Sequence, residues 1–134
     1  MTLYDLRQQV FNRVTDHLLS QQKKSMTVTT NLPDGQCRYR SDSGLKCAIG
    51  ALIPDDKYQP DMEGCTAPAL IQRFGWEAVG LDGSNLTLDE QYSLRCFLDN
   101  LQCVHDLYAV EDWKKELLAV AMKYKLDYPI TLLD

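Results

Sequence analysis

Thr87-Leu88-Asp89-Glu90, followed by Gln91-Tyr92-Ser93-Leu94-Arg95-Cys96-Phe97-Leu98-Asp99-Asn100-Leu101 and closing on His105-Asp106, is the stretch that most constrains the fold. A threonine followed three residues later by glutamate is a capping box: the hydroxyl takes an amide of the first turn and the carboxylate reaches back to the threonine amide. Behind it, Leu94, Phe97, Leu98, Leu101 and His105 recur at the spacing of one helical face, which predicts a helix from 88 to about 106. Such a helix has to bury its stripe against others.

Two partners follow from the same pattern. Thr2 and Asp5 make a second box of weaker kind, and Leu3, Leu6, Val10, Val14 and Leu18 carry a helix from 3 to about 21, with Gln8, Gln9, Arg13 and Asp16 on its wet side. Trp113, Leu117, Val120, Ala121 and Tyr124 form the stripe of a last helix at about 111–125. A short helix is expected at 66–74, with Thr66 as cap, Pro68 in its first turn and Ala69, Leu70 and Phe74 inward.

The interruption lies between the first and second of these blocks. Met26-Thr27-Val28-Thr29 reads as strand or extended linker, and Pro33-Asp34-Gly35 as a turn. Alternation in Cys37-Arg38-Tyr39-Arg40, turn residues Ser41 to Gly44 and a return through Lys46-Cys47-Ala48-Ile49 predict a hairpin. Pro54-Asp55-Asp56 reads as the start of a short helix, Tyr58 to Gly64 as a loop, 75–85 as irregular and Asp127 to Asp134 as an extended tail packed through Ile130 and Leu132. The expected fold is therefore mainly α (α+β): three main helices plus short ones, with a two-stranded β-hairpin at about 37–49, in a single domain over 1–134.

Composition excludes several function classes. The 134 residues are 45% hydrophobic, too apolar for a disordered chain, yet no run approaches the ~18 apolar residues of a membrane helix. The start, MTLYDLRQQVF, lacks the basic and apolar blocks of a signal peptide, so the cytoplasm is the expected compartment and no membrane partner is anticipated. A net charge of −5 with no long basic tract argues against nucleic acid as the main partner. Five cysteines, an odd number in a chain of this size, suggest reduced thiols.

Chemistry-bearing patterns are sparse. No cysteine pair stands two to four residues apart as a structural zinc site requires, and the glycines form neither a dinucleotide nor a P-loop fingerprint, so no metal or cofactor is expected. Cys47, beside Lys46 and between Gly44 and Gly50, is the best candidate nucleophile, with His105 as its base and Asp106 as orienter. Asp55, Asp56 and Glu63, with Asp61, are candidate carboxylates for a cation or acid–base site. Against both stand blander readings: semi-buried thiols, a core histidine, a solvated helix cap and loop. Arg38, Tyr39, Arg40 and Tyr58 are residue types that anchor partners, placed where the helices do not obviously need them, and with Lys46 and Glu63 they make the candidate binding set.

Cys37-Arg38-Tyr39-Arg40, then GLKCAIG at 44–50, then Leu52-Ile53-Pro54-Asp55-Asp56 with Tyr58 and Glu63-Gly64, resembles a segment of small uncharacterised proteins of bacteria and their phages. The resemblance implies a fold module and carries no catalytic role; it favours an accessory protein that binds a host or viral protein. The leading expectation is thus a non-enzymatic interaction domain contacting a protein partner through 37–64. The alternative is a small enzyme or ligand-binding protein using Cys47 with His105, or the carboxylates Asp55, Asp56 and Glu63. Whether the helical faces also join copies of the chain into a homo-oligomer is left open.

Overall fold

Both capping boxes form, and they set where the long helices begin. In the computed structural model, which describes residues 1–27 and 36–133, Thr87 Oγ1 accepts the Glu90 amide at 3.1 Å while Glu90 Oε1 accepts the Thr87 amide at 3.0 Å. Thr2 and Asp5 reciprocate in the same way. Helix α1 spans Leu3–Gln21, α2 Ala67–Phe74, α3 Leu88–Leu107 and α4 Trp113–Tyr124. Thr87→Ala removes the acceptor at the start of α3, and a loss of about 1 kcal/mol in urea unfolding is expected.

The sequence stripes become the core. Leu6, Val10, Phe11, Val14 and Leu18 of α1 meet Leu94, Phe97, Leu98 and Leu101 of α3, and Trp113, Leu117 and Ala121 of α4 complete the buried cluster. From α2 come Leu70 and Ile71. Ala69, expected inward, is exposed, because Leu70 and Ile71 already fill the short helix's buried face.

The domain is mainly helical with a two-stranded antiparallel pairing, as expected. The paired strands are β1, Met26–Thr27, and β2, Gln36–Cys37, with Met26 opposite Cys37. At 37–49 the anticipated turn at Ser41 to Gly44 is present, closed by one antiparallel bridge between Arg40 and Lys46 and by the Ser41 amide on Leu45 O at 2.9 Å. Pairing goes no further because the chain then dives inward. Val28-Thr29 and the turn expected at Pro33-Asp34-Gly35 lie outside the described residues.

Residues 47–53 run through the core as consecutive turns. Cys47, Ala48, Ile49, Leu52 and Ile53 are all buried. Irregular backbone in an apolar interior must find partners for its polar groups. Here the Leu52 amide reaches Ile49 O at 2.9 Å, the Ile53 amide Gly50 O at 3.3 Å, and the Ile49 amide the side-chain oxygen of Gln102 on α3 at 3.0 Å.

Three further expectations need correction. Pro54-Asp55-Asp56 makes a single hydrogen-bonded turn, Lys57 amide to Pro54 O at 2.9 Å, and no helix follows. Pro60 has no amide with which to continue it. Within 58–64, Pro60–Met62 is a 3-10 turn that buries Met62. The tail is a 3-10 turn over Ile130–Leu133, with Leu132 buried and Ile130 exposed, since that tight turn sends the two side chains in different directions. Among the described residues, no helix is long and apolar enough to cross a membrane.

Candidate functional site

Glu63 gathers most of the residues expected to meet a partner. Its Oε1 accepts the Tyr39 amide at 2.9 Å, and its Oε2 accepts the Arg40 amide at 3.1 Å and the Tyr58 hydroxyl at 2.6 Å. Arg38 Nε stands 3.8 Å from the same carboxylate. Arg40 stacks on the Tyr58 ring, donates to Ile53 O at 2.9 Å and pairs with Asp55 at 2.7 Å. Lys46 joins through Asp55 at 3.6 Å. Tyr39 is buried, and its hydroxyl donates to Cys65 O. These six residues therefore gather in one place, through backbone amides as well as side chains, and their contacts tie 38–46 to 53–65.

The candidate carboxylates do not converge. Asp55 and Asp56 are exposed while both Glu63 oxygens are taken, and the three form no cluster of metal-ligand spacing among the described residues. Arg40 and Lys46 hold the Asp55 carboxyl below its ordinary value.

Cys47 and His105 are engaged separately. Cys47 is fully buried, its sulfur accepts the Gly50 amide at 3.3 Å, and burial pushes its thiol up to about 12. A nucleophile needs the opposite shift. The adjacent lysine suggested activation, but Lys46 points outward to Asp55 while Cys47 points into the core.

His105 instead meets a different cysteine. Donor atoms of Cys37, His105 and Asp106 lie within 4.8 Å of one another. Cys37 comes from β2; the other two close α3. Buried against Trp113, with ring centroids 5.6 Å apart, His105 receives the Ser25 amide on Nε2 at 2.9 Å. A backbone amide can only donate, so Nε2 carries the lone pair and the proton is on Nδ1. That proton goes to Asp106 Oδ1 at 2.8 Å, and Gln102 Nε2 donates to the same oxygen at 2.8 Å. Burial would raise the Asp106 carboxyl, but these hydrogen bonds outweigh it and hold the carboxyl below its ordinary value.

Above the cluster opens a cleft of about 270 Å³ between β2, residues 63–67 and α3. Among the described residues, its walls carry the carboxylates of Glu63, Asp99 and Asp106 against the guanidinium of Arg38, and the Lys24 ammonium donates to the Asp106 carbonyl at 3.4 Å. Three cysteines, Cys37, Cys65 and Cys103, also line it. Burial, and then the Asp106 charge, push the Cys37 thiol up to about 11; burial with Asp99 and Asp106 raises Cys103 as well.

The order of the groups matters. In a thiol nucleophile's site the imidazole stands between sulfur and carboxylate and takes the thiol proton. Here both ring nitrogens are taken, by the Ser25 amide and by Asp106, so the imidazole has no lone pair for the thiol proton, and burial together with the Asp106 charge keeps the thiol protonated. The arrangement suits holding a cation and not activating a sulfur.

Sequence spacing could not have exposed this cluster, because its members come from distant parts of the chain. One signal was legible: Asp99, Gln102, Cys103 and Asp106 recur at helical spacing beside the apolar stripe of α3, and so share a side of the helix. The chain matches no protein-family model, no curated protein and no solved structure.

Proposed function

We propose that this domain is a ligand-binding protein that takes a small cation in the cleft between β2 and α3. The observation that supports it is the meeting of the Cys37 sulfur with the Asp106 carboxylate, which His105 orients, at a cleft where the carboxylates of Glu63, Asp99 and Asp106 outnumber the nearby cations of Arg38 and Lys24. Net negative charge in a concave, partly desolvated site attracts cations more strongly than the same charge on an open surface. A protein partner at 37–64 has less support, because the Tyr39 side chain is buried, the Arg40 guanidinium is held by Ile53 O, Asp55 and the Tyr58 ring, and the Tyr58 hydroxyl is bonded to Glu63. Thiol catalysis has less still, with Cys47 enclosed and Cys37 facing a carboxylate.

The test is titration of the full chain, kept reduced, with Zn²⁺, Mg²⁺ and methylammonium, followed by amide chemical shifts and urea unfolding. At least one of these cations should move the amides of Cys37, Cys65 and Asp106, and stabilise the fold by about 2.7 kcal/mol at a hundredfold excess over Kd. Asp106→Asn, which removes the charge and keeps the shape, should abolish both effects. No response to any of the three would refute the reading.

A further inference from the structure

Sulfur in the cleft wall narrows the class of cation. Thiolate ligands select borderline and soft metals, whereas magnesium, calcium and alkylammonium ions prefer oxygen alone. Building on the cation-binding reading above, we propose that the ligand is a divalent transition metal of the zinc type, held by Cys37 Sγ and the Asp106 carboxylate, with His105 as the residue that positions Asp106.

The division of roles follows from the hydrogen bonds. His105 Nδ1 and Gln102 Nε2 both donate to Asp106 Oδ1, which fixes the carboxylate plane and leaves Oδ2 for another partner. Cys37 Sγ approaches the same carboxylate from β2. His105 itself is poorly placed to ligate. A metal on Nδ1 would drive the ring proton to Nε2, where it would face the Ser25 amide, donor against donor, in a ring with no solvent exposure. Outer partners that hold a ligand through a hydrogen bond are a normal part of a metal site.

Proton balance is simple. The thiol S–H bond breaks heterolytically, its electron pair stays on sulfur and forms the sulfur–metal bond, and the proton leaves to solvent. Nothing is oxidised. Asp99 and Cys103 line the cleft from the same helix but stand outside the cluster, so water would fill the remaining positions.

Cobalt(II) reports on sulfur ligation directly. Added to the reduced full chain, Co²⁺ should give a sulfur-to-cobalt charge-transfer band in the near ultraviolet. That band should be lost in Cys37→Ser, nearly isosteric with the native residue, and kept in Cys96→Ser, whose cysteine does not line the cleft. Asp106→Asn should weaken cobalt binding at least tenfold. For His105, ¹⁵N imidazole shifts should keep the Nδ1-protonated tautomer on adding Zn²⁺ while the Nδ1 resonance itself moves as its acceptor Asp106 binds the metal, a change that a purely structural histidine would not show.

A band that survives Cys37→Ser, or no band at all, overturns the metal assignment, and a metal-bound Nδ1 overturns the positioning role. If cobalt and zinc fail but Mg²⁺ or methylammonium still binds at Asp106, the metal inference falls alone. If none of them binds, both readings fall.

Discussion

Gly50→Ala is expected to unfold the domain or leave it with only a fraction of its stability. A β-carbon at this position would stand 2.0 Å from the carbonyl oxygen of Tyr39 and 2.8 Å from its carbonyl carbon. Both are backbone atoms, so no side chain can swing aside. That carbonyl also accepts the Cys47 amide at 3.3 Å, and Tyr39 is itself buried and bonded to Glu63. Relief would have to come from moving 39–40 away from 47–50, which breaks the seam on which the Glu63 network is built. Overpacking costs about 1–3 kcal/mol where side chains can adjust. A backbone clash of this depth should exceed that range, against a total stability of roughly 5–15 kcal/mol for a domain. The check is urea or thermal unfolding of the purified variant, and wild-type stability would contradict the packing described for 47–53.

Trp113→Ala is expected to cost about 3–5 kcal/mol, the range for losing a large buried aromatic side chain. Trp113 opens α4, has no exposed surface and stacks on His105 with 29° between the ring planes. Its removal takes away one wall of the histidine's pocket, so the link from Ser25 through His105 to Asp106 should loosen along with the core. Trp113→Phe should cost less. The indole Nε1 has no hydrogen-bond partner among the described residues, and phenylalanine removes that unpaired donor while keeping an aromatic ring. Unfolding curves of the two variants, read beside the chemical shift of the Ser25 amide, separate loss of packing from loss of the histidine contact.

The helical frame was legible because its signals are local. Thr87 with Glu90, Thr2 with Asp5, and the spacing of Leu94, Phe97, Leu98 and Leu101 each need only a few neighbouring residues to be read, and each reappears in the structure. Strand register was harder: two-residue strands carry no period to read, and Met26 meets Cys37 across eleven positions of sequence. Gly50 drew notice as an opening around Cys47, while its real constraint is a backbone from elsewhere passing against it. The candidate site followed the same division. Asp106 and His105 were visible as neighbours on a helix, but joining them to Cys37 depends on tertiary packing. Tyr39, Arg40, Tyr58 and Glu63 were singled out by chemical type, and type alone could not tell an outward surface from an inward network.

Gln102 ties the central segment to the helix that carries the cleft. Its oxygen holds the Ile49 amide, 53 residues away in sequence, while its nitrogen holds Asp106. Hydrogen exchange at Ile49 therefore has no cheap local route, because freeing that amide means disturbing α3 and the carboxylate together. The buried turns, the end of the helix and the floor of the cleft are therefore expected to open together, and anything that clamps Asp106 should also slow exchange deep inside the protein.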